Sequence, residues 1–125
     1  MTIIKGNVAR ISELYEFERE DGTKKTTVYM TVIRNHDRKG ENGERIPAGR
    51  TVYDVSFSAG TMAARVRDSF RPGDPVLIEA DNERTSLNTN RPDGEAEPVV
   101  KARGLDIGLS CRYRTLSAAL ESAAA

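Results

Sequence analysis

The segment DSFRPGDPVLIEAD, residues 68–81, contains the feature that most constrains the fold, because a helix must end and a strand must begin within a few residues. Before it, apolar residues recur at every fourth position, the spacing of one helical face: Met62, Val66 and Phe70. Pro72 ends the helix because its ring clashes with the preceding turn and it has no N–H to donate. Gly73 supplies the positive φ of a tight turn, so we expect the chain to reverse directly into the apolar strand that follows.

Strand patterns lie on both sides of this helix. Alternating side chains, many of them β-branched or aromatic, predict strands within residues 2–21, 26–35, 50–59, 75–87 and 99–109. The chain therefore has four or five strands with one short helix between the third and fourth. That order matches an all-β OB-fold, a five-stranded Greek-key barrel, although a helix, turn and strand also follow one another in α+β domains.

Two polar stretches interrupt the strands. Residues 35–49 contain three Gly and one Pro, and we expect them to form a long flexible loop. Residues 88–98 form a second polar loop, which contains an Asp-Gly pair. A further Asp-Gly pair, Asp21-Gly22, lies in the segment EDGTKK and predicts a hairpin turn there. Since the ligand-binding loops of an OB-fold usually occupy such positions, the cations that flank them are candidate binding residues.

Composition limits the class of protein. A chain of 125 residues suits one domain with a real core, and the single cysteine excludes an internal disulfide or a cysteine-rich zinc site. No apolar stretch is long enough for a signal peptide or a membrane helix, so we expect a soluble cytoplasmic protein. The 19 basic and 19 acidic residues cancel, so net charge alone indicates no polyanionic partner.

Catalytic signatures are missing from the sequence. The only histidine, His36, has no metal-ligand spacing around it, and neither a phosphate-binding GxxxxGK[ST] loop nor a GxSxG turn occurs. We therefore predict that the protein is not an enzyme and needs no cofactor.

Several stretches resemble bacterial single-stranded DNA-binding proteins (SSBs), in the same order along the chain. KGNVARISEL is similar to their opening strand, TVYDVSFSAGTMAARVRDSFRPGDPVLIEADNERT to their third strand, helix, turn and fourth strand, and VVKARGLDIGLSCRY to their last strand. The resemblance covers roughly residues 3–114, so we predict an OB-fold domain over 1–114 and a short Ala-rich tail over 115–125.

The resemblance implies a function as well as a fold. It implies sequence-independent binding of single-stranded DNA, in replication, recombination or repair, by a homo-oligomer (a dimer or tetramer) associated with the nucleoid. Such a site requires cations for the phosphates and flat side chains on which bases stack. Replication and repair proteins remain candidate partners, but recruitment through the acidic C-terminal tip of the family is not carried over, because the chain ends in ALESAAA.

The chain departs from the family at the stacking positions. It has no Trp, and it has Leu87 or Asn88 where the fourth strand of the family ends in an aromatic residue. We therefore expect weaker or more salt-sensitive binding. The alternative function is an OB-fold assembly subunit that binds proteins and has lost tight DNA binding.

The candidate nucleic-acid-binding residues combine the loop-flanking cations with nearby planar side chains. They are Arg34, His36, Arg38, Lys39, Arg50, Tyr53, Phe57, Arg84, Arg91 and Lys101. For each cation the alternative is solvated surface. For Tyr53 and Phe57 the alternative is the core of the barrel, because they alternate with Val55.

Overall fold

The computed structural model describes residues 1–88 and 96–111, which form six strands and one helix. The elements are β1 (Thr2–Ile11), β2 (Tyr15–Glu18), β3 (Lys24–Lys39), β4 (Arg45–Phe57), α1 (Met62–Ser69), β5 (Pro75–Asn88) and β6 (Glu97–Leu109). No helix in these described ranges is long and apolar enough to cross a membrane.

Five of the strands close into a barrel because β1 pairs with two neighbours. Residues 2–7 of β1 pair with β5, and residues 7–11 pair with β3 across a bulge between Val8 and Arg10. The circuit continues from β3 through β4 and β6 to β5, and only the β4–β6 pair is parallel. This is the predicted OB-fold barrel, with its helix between the third and fourth barrel strands.

Strand alternation builds the core as the sequence predicts. Val28, Met30 and Val32 of β3 point inward and are fully buried, while Tyr29, Thr31 and Ile33 point outward. Other buried side chains that face the core come from β4, including Val55 and Phe57, and from β5.

Helix α1 closes one end of the barrel. Val66 and Phe70 are buried and Met62 packs against them, so the predicted apolar face is confirmed, although Phe70 lies just beyond the end of the helix. Thr61 occupies the N-cap position but its side chain makes no capping hydrogen bond.

The turn after the helix is anchored to β1. Gly73 has φ 95° as predicted, and its N–H donates to the Val8 carbonyl at 2.7 Å. The buried Asp74 carboxylate accepts the Arg71 N–H at 2.8 Å, and the Val8 N–H donates to the Asp74 carbonyl at 2.9 Å. The abrupt end of the helix pattern in the sequence is therefore the point where the chain returns from α1 to the barrel wall.

The segment after β1 differs in part from the prediction. Residues 15–18 form a separate short strand, β2, which pairs only with β3 and is exposed along its whole length. The Asp-Gly hairpin is confirmed: Gly22 has φ 84°, and the Asp21 carboxylate accepts hydrogen bonds from both the N–H and the hydroxyl of Thr23. These bonds lower the pKa of Asp21.

The prediction of a long flexible loop over residues 35–49 is wrong. Strands β3 and β4 continue beyond the barrel as a hairpin arm, paired from Arg34–Thr51 out to Lys39–Arg45, with a bulge near Asp37 and Pro47. The connecting turn spans only residues 40–44, where Gly43 has φ 79°. Both faces of the arm are largely open to solvent, so the sequence shows no apolar alternation there. At the second predicted loop, over residues 88–98, Asn88 belongs to β5, and β6 begins at Glu97. Residues 89–95 of that prediction lie outside the described residues.

We predict that Gly104→Ala destabilises the protein by about 1–3 kcal/mol or more, the usual range for overpacking a core. A Cβ at Gly104 would overlap the ring of Phe57, which is completely buried and cannot move aside. Gly108→Ala is the matched control in the same strand, because a Cβ there meets no atom within 4 Å. Urea unfolding of the two variants measures the difference, and equal midpoints would contradict this account of the packing.

Candidate nucleic-acid interface

A row of side chains crosses the outside of the barrel over five strands. Backbone pairing places Arg84 of β5 beside Lys101 of β6, and Lys101 beside Asp54 of β4. Asp54 pairs with Thr31 of β3, and Thr31 pairs with Arg10 of β1. Because directly paired residues project to the same face of a sheet, three cations and one carboxylate share this outer row.

A second row runs beside the first. Arg103 of β6 pairs with Ser56 of β4, and Ser56 pairs with Tyr29 of β3. Arg103 donates from Nε to Asp81 Oδ1 at 2.8 Å and from Nη2 to Oδ2 at 2.5 Å. These bonds lower the pKa of Asp81 and raise that of Arg103. Arg103 therefore remains charged, but two of its donors are already engaged.

Tyr29 is the aromatic side chain of these two rows. Tyr29 is 37% exposed. Its ring contacts the ring of Tyr15 edge-on, with centroids 5.8 Å apart and ring planes at 61°. The Tyr29 N–H donates to Ser12 Oγ at 2.9 Å, which fixes the backbone beneath the ring. A ring that is held in place and still accessible is suited to stacking on a planar ligand.

Tyr29 and Asp54 line two adjoining clefts. The larger, of about 400 Å³, is also lined by the cations Lys25, Arg84, Lys101 and Arg103, and we call it the cationic cleft. The smaller, of about 260 Å³, adds Arg10, Ser12, Tyr15 and Thr31.

Asp54 is the half-buried carboxylate between the cations. No side chain in residues 1–88 or 96–111 donates a hydrogen bond to it or forms an ion pair with it. Burial raises the pKa of Asp54, and the nearby charges of Lys101 and Arg10 oppose that shift. The carboxylate oxygens are therefore free to accept hydrogen bonds from a ligand.

The structure brings together only part of the predicted site. Arg84 and Lys101 are cross-strand neighbours in the cationic cleft. Arg34 is exposed on another groove, of about 190 Å³, where it lies with Lys5 and Asn7. The candidate cations are thus distributed over at least two surfaces of the barrel.

Other predicted residues belong to the hairpin arm. The Nε2 atom of half-buried His36 lies 2.6 Å from Thr51 Oγ1. Arg50 donates through Nε and Nη2 to Glu97, at 3.3 and 3.0 Å, so a phosphate would have to compete with this ion pair. Lys39 is exposed at the end of the arm, next to Arg38, whose backbone pairs with Ile46. The described residues contain no group of three metal-ligating side chains.

The two predicted aromatic contacts face inward. Phe57 is completely buried, so its prediction as a nucleic-acid contact is wrong, and the core alternative is correct. Tyr53 lies on the same face of β4 as Phe57, and its half-buried side chain packs against the same core. Arg91 lies outside the described residues, as does the tail over 115–125.

Sequence reasoning missed three residues of the outer rows, Arg10, Tyr29 and Arg103, and it also missed Lys25, which lines the cationic cleft. The alternation of β6 could have indicated Arg103, because it shares the parity of Lys101. Arg10 could not have been found this way, since it joins the outer row only after the bulge in β1 shifts its register.

Comparison with known proteins identifies the fold. No protein-family model matches the chain, and no curated protein sequence matches it. The small single-stranded DNA-binding protein of Streptomyces coelicolor superposes with a TM-score of 0.59 at 16% identity, over 88% of this chain and 93% of its own. The SSB of Plasmodium falciparum, solved with single-stranded DNA, gives 0.54 at 12% identity, over 87% and 92%. The protein priB of Ralstonia solanacearum gives 0.51 at 11% identity, over 87% and 96%. These likenesses establish that the chain shares the barrel fold of those proteins.

We predict that Asp54→Asn raises the free energy of unfolding at pH 7. The raised pKa means that the folded protein holds this proton more tightly than the unfolded chain, whose carboxyl has the ordinary pKa of 3.8. The stability associated with the neutral form is therefore present below pH 3.8 and lost as the pH rises through the folded-state pKa. The advantage of the variant should shrink as the pH is lowered towards 3.8.

Denaturant titrations from acid to neutral pH measure this effect. Asp68→Asn, on the exposed side of α1, serves as the control for charge removal at a solvated position. An Asp54→Asn variant less stable than wild type at pH 7 would show that attraction to Arg10 and Lys101 outweighs the cost of burial.

Proposed function

We propose that this protein binds single-stranded DNA without requiring a particular sequence, and that the cationic cleft is its binding surface. The observation that carries the proposal is the placement of Arg84 and Lys101 beside the exposed ring of Tyr29. Cations for the backbone and a planar ring for an unstacked base are the two components of sequence-tolerant single-strand binding. The shared fold of the two SSBs described above is consistent with this assignment.

The phosphate contacts come from a local concentration of charge. The chain is neutral overall, but Lys25, Arg84 and Lys101 line one cleft. Among the described side chains, none of these three forms an ion pair as close as those of Arg103 with Asp81 and of Arg50 with Glu97. Arg34 and Lys5 line a separate groove and add positive charge on another part of the barrel. A strand bound in the cationic cleft would therefore meet positive charge from several side chains.

Aromatic stacking supplies only a small part of the expected binding free energy. Tyr29 is the ring that the cationic cleft provides, whereas Tyr53 and Phe57 are turned to the core. A base stacked on an aromatic side chain contributes about 1–3 kcal/mol. Electrostatic contacts consequently dominate, and binding should be markedly salt-sensitive.

The cellular role that we propose is the protection of single strands in replication, recombination or repair, without catalysis. We also propose that the protein acts as a homo-oligomer in the nucleoid. Support for association comes from β2, whose Tyr15 and Phe17 are each 47% exposed on a strand that pairs on one side only. Exposed apolar side chains of this kind are typical of protein contacts.

The same exposed aromatic residues favour the second candidate function, an assembly subunit that binds another protein. Leu14, which is 43% exposed, extends this apolar surface next to the acidic run over residues 13–21. In that case the protein would form complexes through β2, and the cationic cleft would have no ligand.

We predict binding to labelled single-stranded oligonucleotides of mixed sequence, with little binding to duplex DNA. Affinity should fall steeply with salt, by a slope of about −0.7 per phosphate contact. The double variant Arg84→Gln/Lys101→Gln should bind more weakly and show a shallower slope, by about 0.7 for each contact removed. Fluorescence anisotropy at several salt concentrations measures both quantities.

Arg65→Gln is the matched control, because Arg65 is an exposed cation on α1, away from the cleft. Absence of binding at low salt would refute the proposed function and favour the assembly subunit. Equal losses in the Arg65 and the Arg84/Lys101 variants would place the binding surface elsewhere.

We further predict that Tyr29→Ala weakens single-strand binding by about 1–3 kcal/mol, the contribution of one stacked base. Tyr29→Phe retains the ring and should bind nearly as well as wild type. The salt slope should be the same for both variants, since no cation is removed. A comparable loss in Tyr29→Phe would mean that the hydroxyl group, rather than stacking, makes the contact.

A further inference from the structure

We propose that Asp54 recognises guanine in a bound single strand, by accepting hydrogen bonds from N1–H and N2–H of the base. This inference rests on the proposed function, because it concerns which base occupies the cleft once a strand is bound. It adds a base preference to a mode of binding that otherwise accepts any sequence.

The carboxylate is available for such a contact. Asp54 is half-buried on the outer face, and no side chain of the described residues hydrogen-bonds it. Its neighbours Lys101 and Arg10 stabilise the ionised form, in which both oxygens are acceptors. An acceptor that lacks a protein partner gains most from a donor that the ligand supplies.

Asp54 also lies within reach of a stacked base. Asp54 and Ser56 face the same side of β4, and Ser56 is the direct partner of Tyr29. Tyr29 is therefore the diagonal neighbour of Asp54, at a separation of about 7–8 Å or less. A base that stacks on the Tyr29 ring would turn one edge towards the carboxylate, since both residues line the same two clefts.

Guanine matches this acceptor better than the other bases do. Its Watson–Crick edge presents two adjacent donors, N1–H and N2–H, which fit the two oxygens of a carboxylate, and unpaired bases are accessible on that edge. Adenine and cytosine place a ring-nitrogen lone pair beside a single amino group. Thymine places N3–H between two carbonyl oxygens, which a carboxylate repels.

The charges around Asp54 favour different positions for the phosphate backbone of the bound strand and for its base. Phosphates are repelled by the carboxylate and attracted to Arg84, which lies on the other side of Lys101 from Asp54. A strand is thus held by its phosphates in the cationic part of the cleft, with a base directed inward to Tyr29 and Asp54.

The test compares labelled dT oligonucleotides with the same oligonucleotides carrying guanines separated by thymines, which prevents quadruplex formation. At pH 8, wild type should bind the guanine-containing strand about fivefold more tightly, the lower end of the range for a bidentate base contact. Replacing guanine by hypoxanthine, which lacks the N2 amino group, should remove most of this difference.

Variants assign the preference to a residue. Asp54→Asn and Asp54→Ala should bind dT at least as tightly as wild type, because a repulsive charge is gone, and should lose most of the preference for guanine. Asp68→Asn should retain it. Thermal unfolding confirms that each variant is folded, and the retained binding of dT shows that the cleft is intact.

Two results would overturn the inference and leave the proposed function standing. One is equal binding of all oligonucleotides by wild type, and the other is a guanine preference that persists in both Asp54 variants. A failure of wild type to bind mixed-sequence single strands would overturn the proposed function, and this inference with it.

Discussion

The whole structure depends on the sharing of one strand between two neighbours. β1 satisfies its backbone groups with β5 along its first half and with β3 along its second, and this sharing closes the sheet into a barrel. The crossing is tight at Gly6, where a Cβ would lie 2.7 Å from the Ile33 carbonyl oxygen. The bulge after Val8 then resets the register. Without closure, β1 and β5 would leave unpaired edges, and the core between the strands would be open to water.

Closure also explains how a chain of zero net charge presents a cationic surface. The register that joins five strands aligns Arg84, Lys101 and Arg10 across the outside of the barrel, although these residues are far apart in the sequence. The acidic residues of the segment 13–21 are carried mainly by β2 and its turn, at the edge of the sheet. Asp54, by contrast, lies among the cations of the outer row, and its half-buried carboxylate differs from a solvated surface carboxylate. A single negative group among cations is a means of discrimination, because it rejects phosphates and selects hydrogen-bond donors.

The loop prediction for residues 35–49 is wrong because the polarity of a segment does not determine whether its backbone pairs. The polar stretch 35–49 continues the barrel strands as a hairpin, because its backbone groups pair with each other once β3 and β4 are aligned. Pro47 is tolerated because it lies at a bulge opposite Asp37. The prediction for Phe57 is wrong for a different reason: the alternation of Tyr53 and Phe57 showed that they share a face, but it could not show which face is inside. That choice is made by the core, where Phe57 fills the space left by Gly104.

The sequence by itself determined the strand-rich class, the short helix with its apolar face, and the turn at Gly73, because each depends on local periodicity or on the stereochemistry of Pro and Gly. It also identified Arg84 and Lys101 as candidates, since they flank a polar connection. Only the tertiary structure decided that these two are neighbours, that Arg50 is engaged by Glu97, and that Tyr29 is the ring presented outward. The reason is that cross-strand register depends on bulges and on barrel closure, which are properties of the assembled sheet and leave no period in the sequence.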